Sequence, residues 1–249
     1  MHINTKAKNL FHLCIITFFV IVAISVAGGL TLKYQVEGEK SMPFDLSKIM
    51  IVSTVEGIEK LGSNNKWDFS LMQNNDIYID IKKNEKTNKY DIIDKIIIEN
   101  IMPVQPPKKG IVKIFKPTDT EGKTVYTYRD EDLVANRLEY KGEEKSDITK
   151  QKIANQGGLI MFRVTNDDFG RYTSNDDTEI NHNGNLIQKA GINKEEIQFK
   201  LSMDIIIQLK SNKSYKANFQ IDLPIDKLIE EGTSSYEKND CSDLIFKRM

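Results

Sequence analysis

The sequence predicts a mainly β protein: an N-terminal transmembrane helix followed by an antiparallel β-sandwich, with a barrel as the alternative closure. Three observations support this. A 23-residue run, Leu10 to Leu32, carries no charged side chain. Ile occurs 33 times and Ala only seven, a balance that favours strands and leaves little material for long soluble helices. Several downstream segments alternate apolar and polar residues with a period of two, the pattern of a strand with one wet face.

The elements follow in order. As a helix, residues 10–32 would be roughly 35 Å long at 1.5 Å per residue, enough to cross about 30 Å of hydrocarbon. Residues 1–9 contain Lys6 and Lys8 and no acid. The positive-inside rule therefore makes them a cytoplasmic tail and sends residues 33–249 across the membrane. Ser25-Val26-Ala27 would suit a signal peptidase, and a cleaved leader is the alternative; the length of the run favours a retained signal anchor. Cys14 lies inside the run as a membrane-facing thiol, so only Cys241 remains beyond it and no internal disulfide can form there.

The strongest hairpin pairs Phe199 to Leu209 with Tyr215 to Leu223 across the turn Ser211-Asn212-Lys213-Ser214. Pro224 ends it, and 226–231 reads as a helical turn stopped by Gly232. A second hairpin is expected from Trp67-Phe69-Leu71 and Ile77-Ile79-Ile81 around a turn Gln73-Asn74-Asn75-Asp76. Further strands are expected at 49–55, 91–101, 110–116, 125–128, 137–140, 159–164 and 244–248. The cluster Pro103, Pro106, Pro107 and Gly110 marks an internal connector at 103–110 of one 33–249 sandwich domain.

The composition narrows the chemistry. With 35 basic and 36 acidic residues the charge is -1, which gives no electrostatic footprint for nucleic acid. Beyond residue 32 only His182 remains among the histidines, so a multi-histidine metal site is excluded by count. His182 lies in Asn181-His182-Asn183-Gly184-Asn185 and reads as part of a solvated turn. His182, Cys241 and Arg248, in that order behind an anchor, are similar in plan to sortases. However, no Thr-Leu-x-Thr-Cys precedes Cys241, and Asp240 and Asp243 oppose a thiolate. The acid- and amide-rich stretch 166–185, with Asp167, Asp168, Asp176, Asp177 and Glu179, raises calcium as a ligand. It fails the EF-hand pattern at Ala190 and reads as a solvated loop. Gln156-Gly157-Gly158 reads as a turn or bulge, and Asn212-Lys213-Ser214 is a formal glycosylation acceptor. Trp67 reads as core, and Tyr126 and Tyr128 as a minor ligand platform. The sequence thus singles out no catalytic, cofactor-binding or metal-ligating residue.

The segments Lys33-Tyr34-Gln35-Val36-Glu37-Gly38-Glu39, Met42-Pro43-Phe44, Asn155-Gln156-Gly157-Gly158, Tyr172-Thr173-Ser174-Asn175 and Asp222-Leu223-Pro224 resemble an uncharacterised family of membrane-anchored proteins from low-GC Gram-positive bacteria. That family brings no activity and no functional residues; the resemblance implies only a cell-envelope location. The sequence therefore leads to a single-pass cell-membrane protein with a non-enzymatic binding or structural ectodomain. Its expected partners are the membrane and a cell-wall or envelope protein, met through edge strands and loops. A wall-processing enzyme acting through carboxylates or Cys241, and a secreted matrix or filament subunit, are the alternatives.

Overall fold

The computed structural model describes residues 5–60, 67–118, 130–174 and 185–249. It contains two compact units, residues 1–40 and 41–249. The first is one helix, α1 (Thr5–Glu37), which includes the expected 10–32 span and continues past both its ends. From His12 to Lys33 every side chain is exposed, and the helix is long and apolar enough to cross a membrane. Within it the Thr31 hydroxyl donates to the Ala27 carbonyl at 2.9 Å, the way a helix absorbs a hydroxyl without solvent.

The second unit is built from β1 (Phe44–Lys60), β2 (Trp67–Lys83), β3 (Ile93–Gln105), β4 (Ile111–Phe115), β5 (Leu133–Val134), β6 (Leu138–Glu143), β7 (Lys152–Ala154) and β8 (Gly157–Ser174), followed by the short helices α2 (Asn185–Lys189) and α3 (Lys194–Ile197). Then come β9 (Lys200–Leu209), β10 (Ser214–Asp222), α4 (Leu228–Glu231), β11 (Thr233–Lys238) and β12 (Lys247–Arg248). One six-stranded sheet runs β11-β1-β2-β8-β4-β5 and the other β12-β10-β9-β3-β6-β7. Both sheets have free edges, so the fold is a sandwich and not a barrel. All named pairs are antiparallel except β6 with β7, which is parallel.

The β9–β10 hairpin has the expected strands and turn, with Tyr215 opposite Ile207 and Asn212 at φ 62° in the turn. The expected hairpin around 73–76 does not form. β2 runs unbroken through Gln73, Asn74, Asn75 and Asp76, and its hairpin partner is β1, with Lys60 opposite Asp68. These amides are turn-formers only while their side chains lack better partners. Here Ser53 donates to Asn75 Oδ1 at 2.6 Å, Gln73 Nε2 donates to the same oxygen at 3.0 Å, and Asn75 Nδ2 donates to the Val164 carbonyl at 2.9 Å. On the opposite sheet face Thr165 donates to Asn74 Oδ1 at 2.9 Å. A ladder of cross-strand polar bonds thus holds the segment extended.

Other boundaries also shift. β3 passes through Pro103 to Gln105, beyond Lys95–Ile98 where β6 pairs, so the missing proline N–H falls where β3 has a neighbour on one side only. The connector shrinks to 106–110 and carries the chain from the second sheet to the first. Residues 166–174, expected in a solvated loop, are the far half of β8, with Asn166 fully buried. The expected 244–248 strand forms only at Lys247–Arg248, and 125–128 lies outside the described residues.

The long strands β1, β2 and β8 serve two cores. The main core lies between the sheets, with Ile49, Ile77, Ile79 and Phe162 facing Ile96, Met203, Ile205 and Phe219. Tyr140, fully buried on β6, donates its hydroxyl to the Met161 carbonyl on β8 and so ties one sheet to the other. Burial holds its hydroxyl well above the ordinary tyrosine range, so it stays a donor. The smaller core sets Val55, Phe69, Leu71 and Phe169 against Leu186, Ile187, Ile197 and Leu228 from the short helices. Ser53, Gln73, Asn75 and Asn166 lie on adjacent rows between the two cores.

Candidate binding groove

A cleft of about 660 Å³ lies where the edges of the two sheets approach each other. Its walls include β10 from Asn218 to Asp222 on one side and Ser234 to Tyr236 of β11 on the other. A second hollow of about 510 Å³ shares Gln198, Gln220 and Asp222 with it and extends the groove to Val104 and Pro106.

Backbone alternation determines what the groove offers. The Leu223 N–H points to Phe199, just ahead of β9, whereas the Ser214 carbonyl accepts from Met249 on the far side. With a period of two, the N–H and C=O groups of Asn218, Gln220 and Asp222 also face away from β9. β12 covers only Tyr215 and Lys216, so among the described residues no strand covers this stretch. On β11, the Gly232 carbonyl accepts from the Val55 N–H at 3.0 Å, which turns the backbone groups of Thr233, Ser235 and Glu237 away from β1. Two open strand edges therefore flank one cleft.

Three acids of the groove are paired: Asp222 with Lys200 at 3.4 Å, Asp226 with Lys194 and Asp243 with Lys238, the last two at 2.5 and 2.6 Å. Lys227 in the lining pairs with Glu231 at 3.5 Å, and the second hollow also holds Lys108 and Glu195; the uncharged groups are the amides of Gln198 and Gln220, the exposed ring of Tyr236 and backbone donors and acceptors. Asn218 is held by its own bonds, donating to Asp204 Oδ1 at 2.8 Å and to the Met203 carbonyl at 3.2 Å. Asp204 also accepts from Asn100 at 2.7 Å and pairs with Lys216 at 2.9 Å. Burial pushes the Asp204 carboxyl up, but the bonds from Lys216, Asn100 and Asn218 outweigh it and hold the group below the usual carboxylate range.

The residues weighed from sequence do not assemble into a site. Cys241 is buried at the margin of the main core. Burial pushes its thiol up, Asp243 and Asp240 add to this, and Lys238 only partly opposes it. This is the environment of an inert structural thiol. Arg248 lies on β12 opposite Tyr215. His182, Tyr126, Tyr128, Asp176, Asp177 and Glu179 lie outside the described residues, as does the side chain of Trp67. Asp167 pairs with Lys113, and Asp168 accepts from Ser70 at 2.6 Å, at a left-handed bulge in β8 with φ 53°. Gly157 has φ 107°, and a Cβ there would lie 2.6 Å from the Ile81 carbonyl, which accounts for the glycine that opens β8. Among the described residues no three His, Cys, Asp or Glu side chains gather as metal ligands.

The groove residues were not singled out from sequence. Asn218, Gln220 and Asp222 read only as the wet face of a strand, and nothing local to them says that the strand is an edge. Comparison with protein-family models, curated proteins and solved structures finds no match to this chain.

Proposed function

We propose that the chain is a single-pass membrane protein with its amino end in the cytoplasm and its β-sandwich outside, acting as a non-enzymatic binding module of the cell envelope. The observation that carries this reading is α1: one helix that includes the uncharged 10–32 run, exposed from His12 to Lys33, with a separate compact β unit after it. The basic tail supports the orientation. Among the described residues the groove offers neutral amides, salt-bridged acids and two strand edges that no strand covers, which supports binding. Such edges complement one ligand geometry best, an extended peptide segment added as a further strand.

Fractionation tests the reading. The intact chain should resist alkaline extraction from membranes, and protease added outside whole cells should remove the β domain while sparing the tail. Release of the intact chain by alkali, or protection of the β domain in whole cells, would overturn it.

A further inference from the structure

One end of the sandwich, where Met42 and Pro43 lead into β1, is rich in lysine. Residues 33–249 carry 33 basic and 36 acidic side chains, yet the loop after β2 and the neighbouring β9–β10 turn present Lys83, Lys86, Lys89, Lys210 and Lys213. In those two connections, 83–92 and 210–213, the acids are Glu85 and Asp91, and Asp91 is buried and accepts the Asn88 N–H at 2.9 Å. The two connections are joined, since the Lys210 N–H donates to the Ile92 carbonyl at 2.9 Å. Tyr90 stands out from this surface at 71% exposure, with Lys89 Nζ 4.9 Å from its ring centre.

Hydrogen bonds fix this surface to the point where the tether enters. The Asn84 N–H donates to the Pro43 carbonyl at 3.1 Å, Asn84 Nδ2 to the Met42 carbonyl at 2.9 Å, and the Thr87 hydroxyl to the Pro43 carbonyl. Pro43 is six residues beyond Glu37, the last residue of α1. Even fully extended, those residues span only about 20 Å. If α1 is held in a bilayer, the lysine-rich loop cannot be far from its surface.

We propose that this end of the β domain docks on the anionic lipid headgroups of the membrane that holds the chain. Lys83, Lys86, Lys89, Lys210 and Lys213 would face the phosphates, and Tyr90 would enter the headgroup layer. The chemistry fits: lysines near an anionic surface are each attracted to it, and amphipathic aromatic rings partition to the interface. The inference rests on the tether reading and adds a second attachment, one that would set how the groove is presented.

The test uses the full chain in nanodiscs of phosphatidylcholine, with or without phosphatidylglycerol, and follows amide hydrogen exchange by mass spectrometry. Residues 84–92 should exchange severalfold more slowly with the anionic lipid, and high salt or the triple variant K83E/K86E/K89E should remove the difference. Exchange at 218–222 should not change with lipid. Equal exchange at 84–92 in both lipids overturns the docking and leaves the tether standing, and protection by inorganic phosphate over phosphatidylcholine alone overturns it as a surface interaction. A chain that elutes apart from the discs overturns the tether, and this inference with it.

Discussion

Asn75 takes part in three of the hydrogen bonds in the layer between the two cores, accepting from Ser53 and Gln73 and donating to Val164. Replacing it with Ala takes the acceptor from the buried Ser53 hydroxyl and Gln73 amide, a loss of about 2–3 kcal/mol. Urea unfolding followed through Trp67, the sole tryptophan, should show it. Ser53→Ala on the same background should add less than it costs alone, because its partner is already gone. Gly110 is constrained for a different reason: at φ +94° a Cβ would lie 2.0 Å from Asn166 Oδ1. Gly110→Ala should therefore cost about 2 kcal/mol or more in the same assay. Asp204 makes a pH prediction. Its folded pKa is lowered, so its contribution is present above the unfolded value of about 3.9 and is lost as pH falls through the folded value. Lys216, raised chiefly by its bond to Asp204, contributes below the unfolded value of about 10.4 and loses that contribution as pH rises through its folded value. Asp204→Asn should lower stability at neutral pH and flatten its fall on the acid side, and an unchanged acid limb would refute the assignment.

At the scale of the element, what can be read from sequence depends on whether a strand's partners are local. The β9–β10 hairpin was legible because its alternation, turn and terminating Pro224 are contiguous, and the Gly232 stop was legible because a helix end is a local event. β2 is not legible in the same way, because Gln73 to Asp76 are turn-formers in isolation and the groups that hold them extended come from Ser53, Val164 and Thr165, far away in the chain. The groove fails for the same reason at larger range: Gln220 and Ser235 come from different sheets, and edge status depends on what does not pair with them. It can be tested through the one atom that an edge leaves free. Gln220→Pro removes an N–H that faces away from β9 and leaves the ladder to β9 intact. A photo-crosslinking residue at Ser235 should give, in cells, an adduct that mass spectrometry maps to an extended segment of another envelope protein. Gln220→Pro should abolish that adduct without loss of membrane retention. Adducts that persist in the Pro variant would refute strand addition.

Across the whole molecule, the two cores differ in what holds them. The main core is closed between two sheets, whereas the smaller one depends on α2, α3 and α4, each four or five residues long and too short to persist without the strands beneath them. The amide rows between the cores are hydrogen-bonded along the first sheet, so they keep β1, β2 and β8 continuous even if the small helices lift. Local opening of the smaller core should therefore cost less than global unfolding. Leu228→Ala, which removes a fully buried side chain at the centre of that core, should cost about 2–5 kcal/mol locally. Amide exchange at Val55, Leu71 and Phe169 should accelerate strongly, and that at Ile79 and Ile205 only slightly. If all five accelerate alike, the two cores unfold as one unit and the polar rows do not separate them. If only the first three respond, the β domain can open at α2–α4 and along the far ends of its long strands, while the sheet edges that form the groove stay in register on the closed main core.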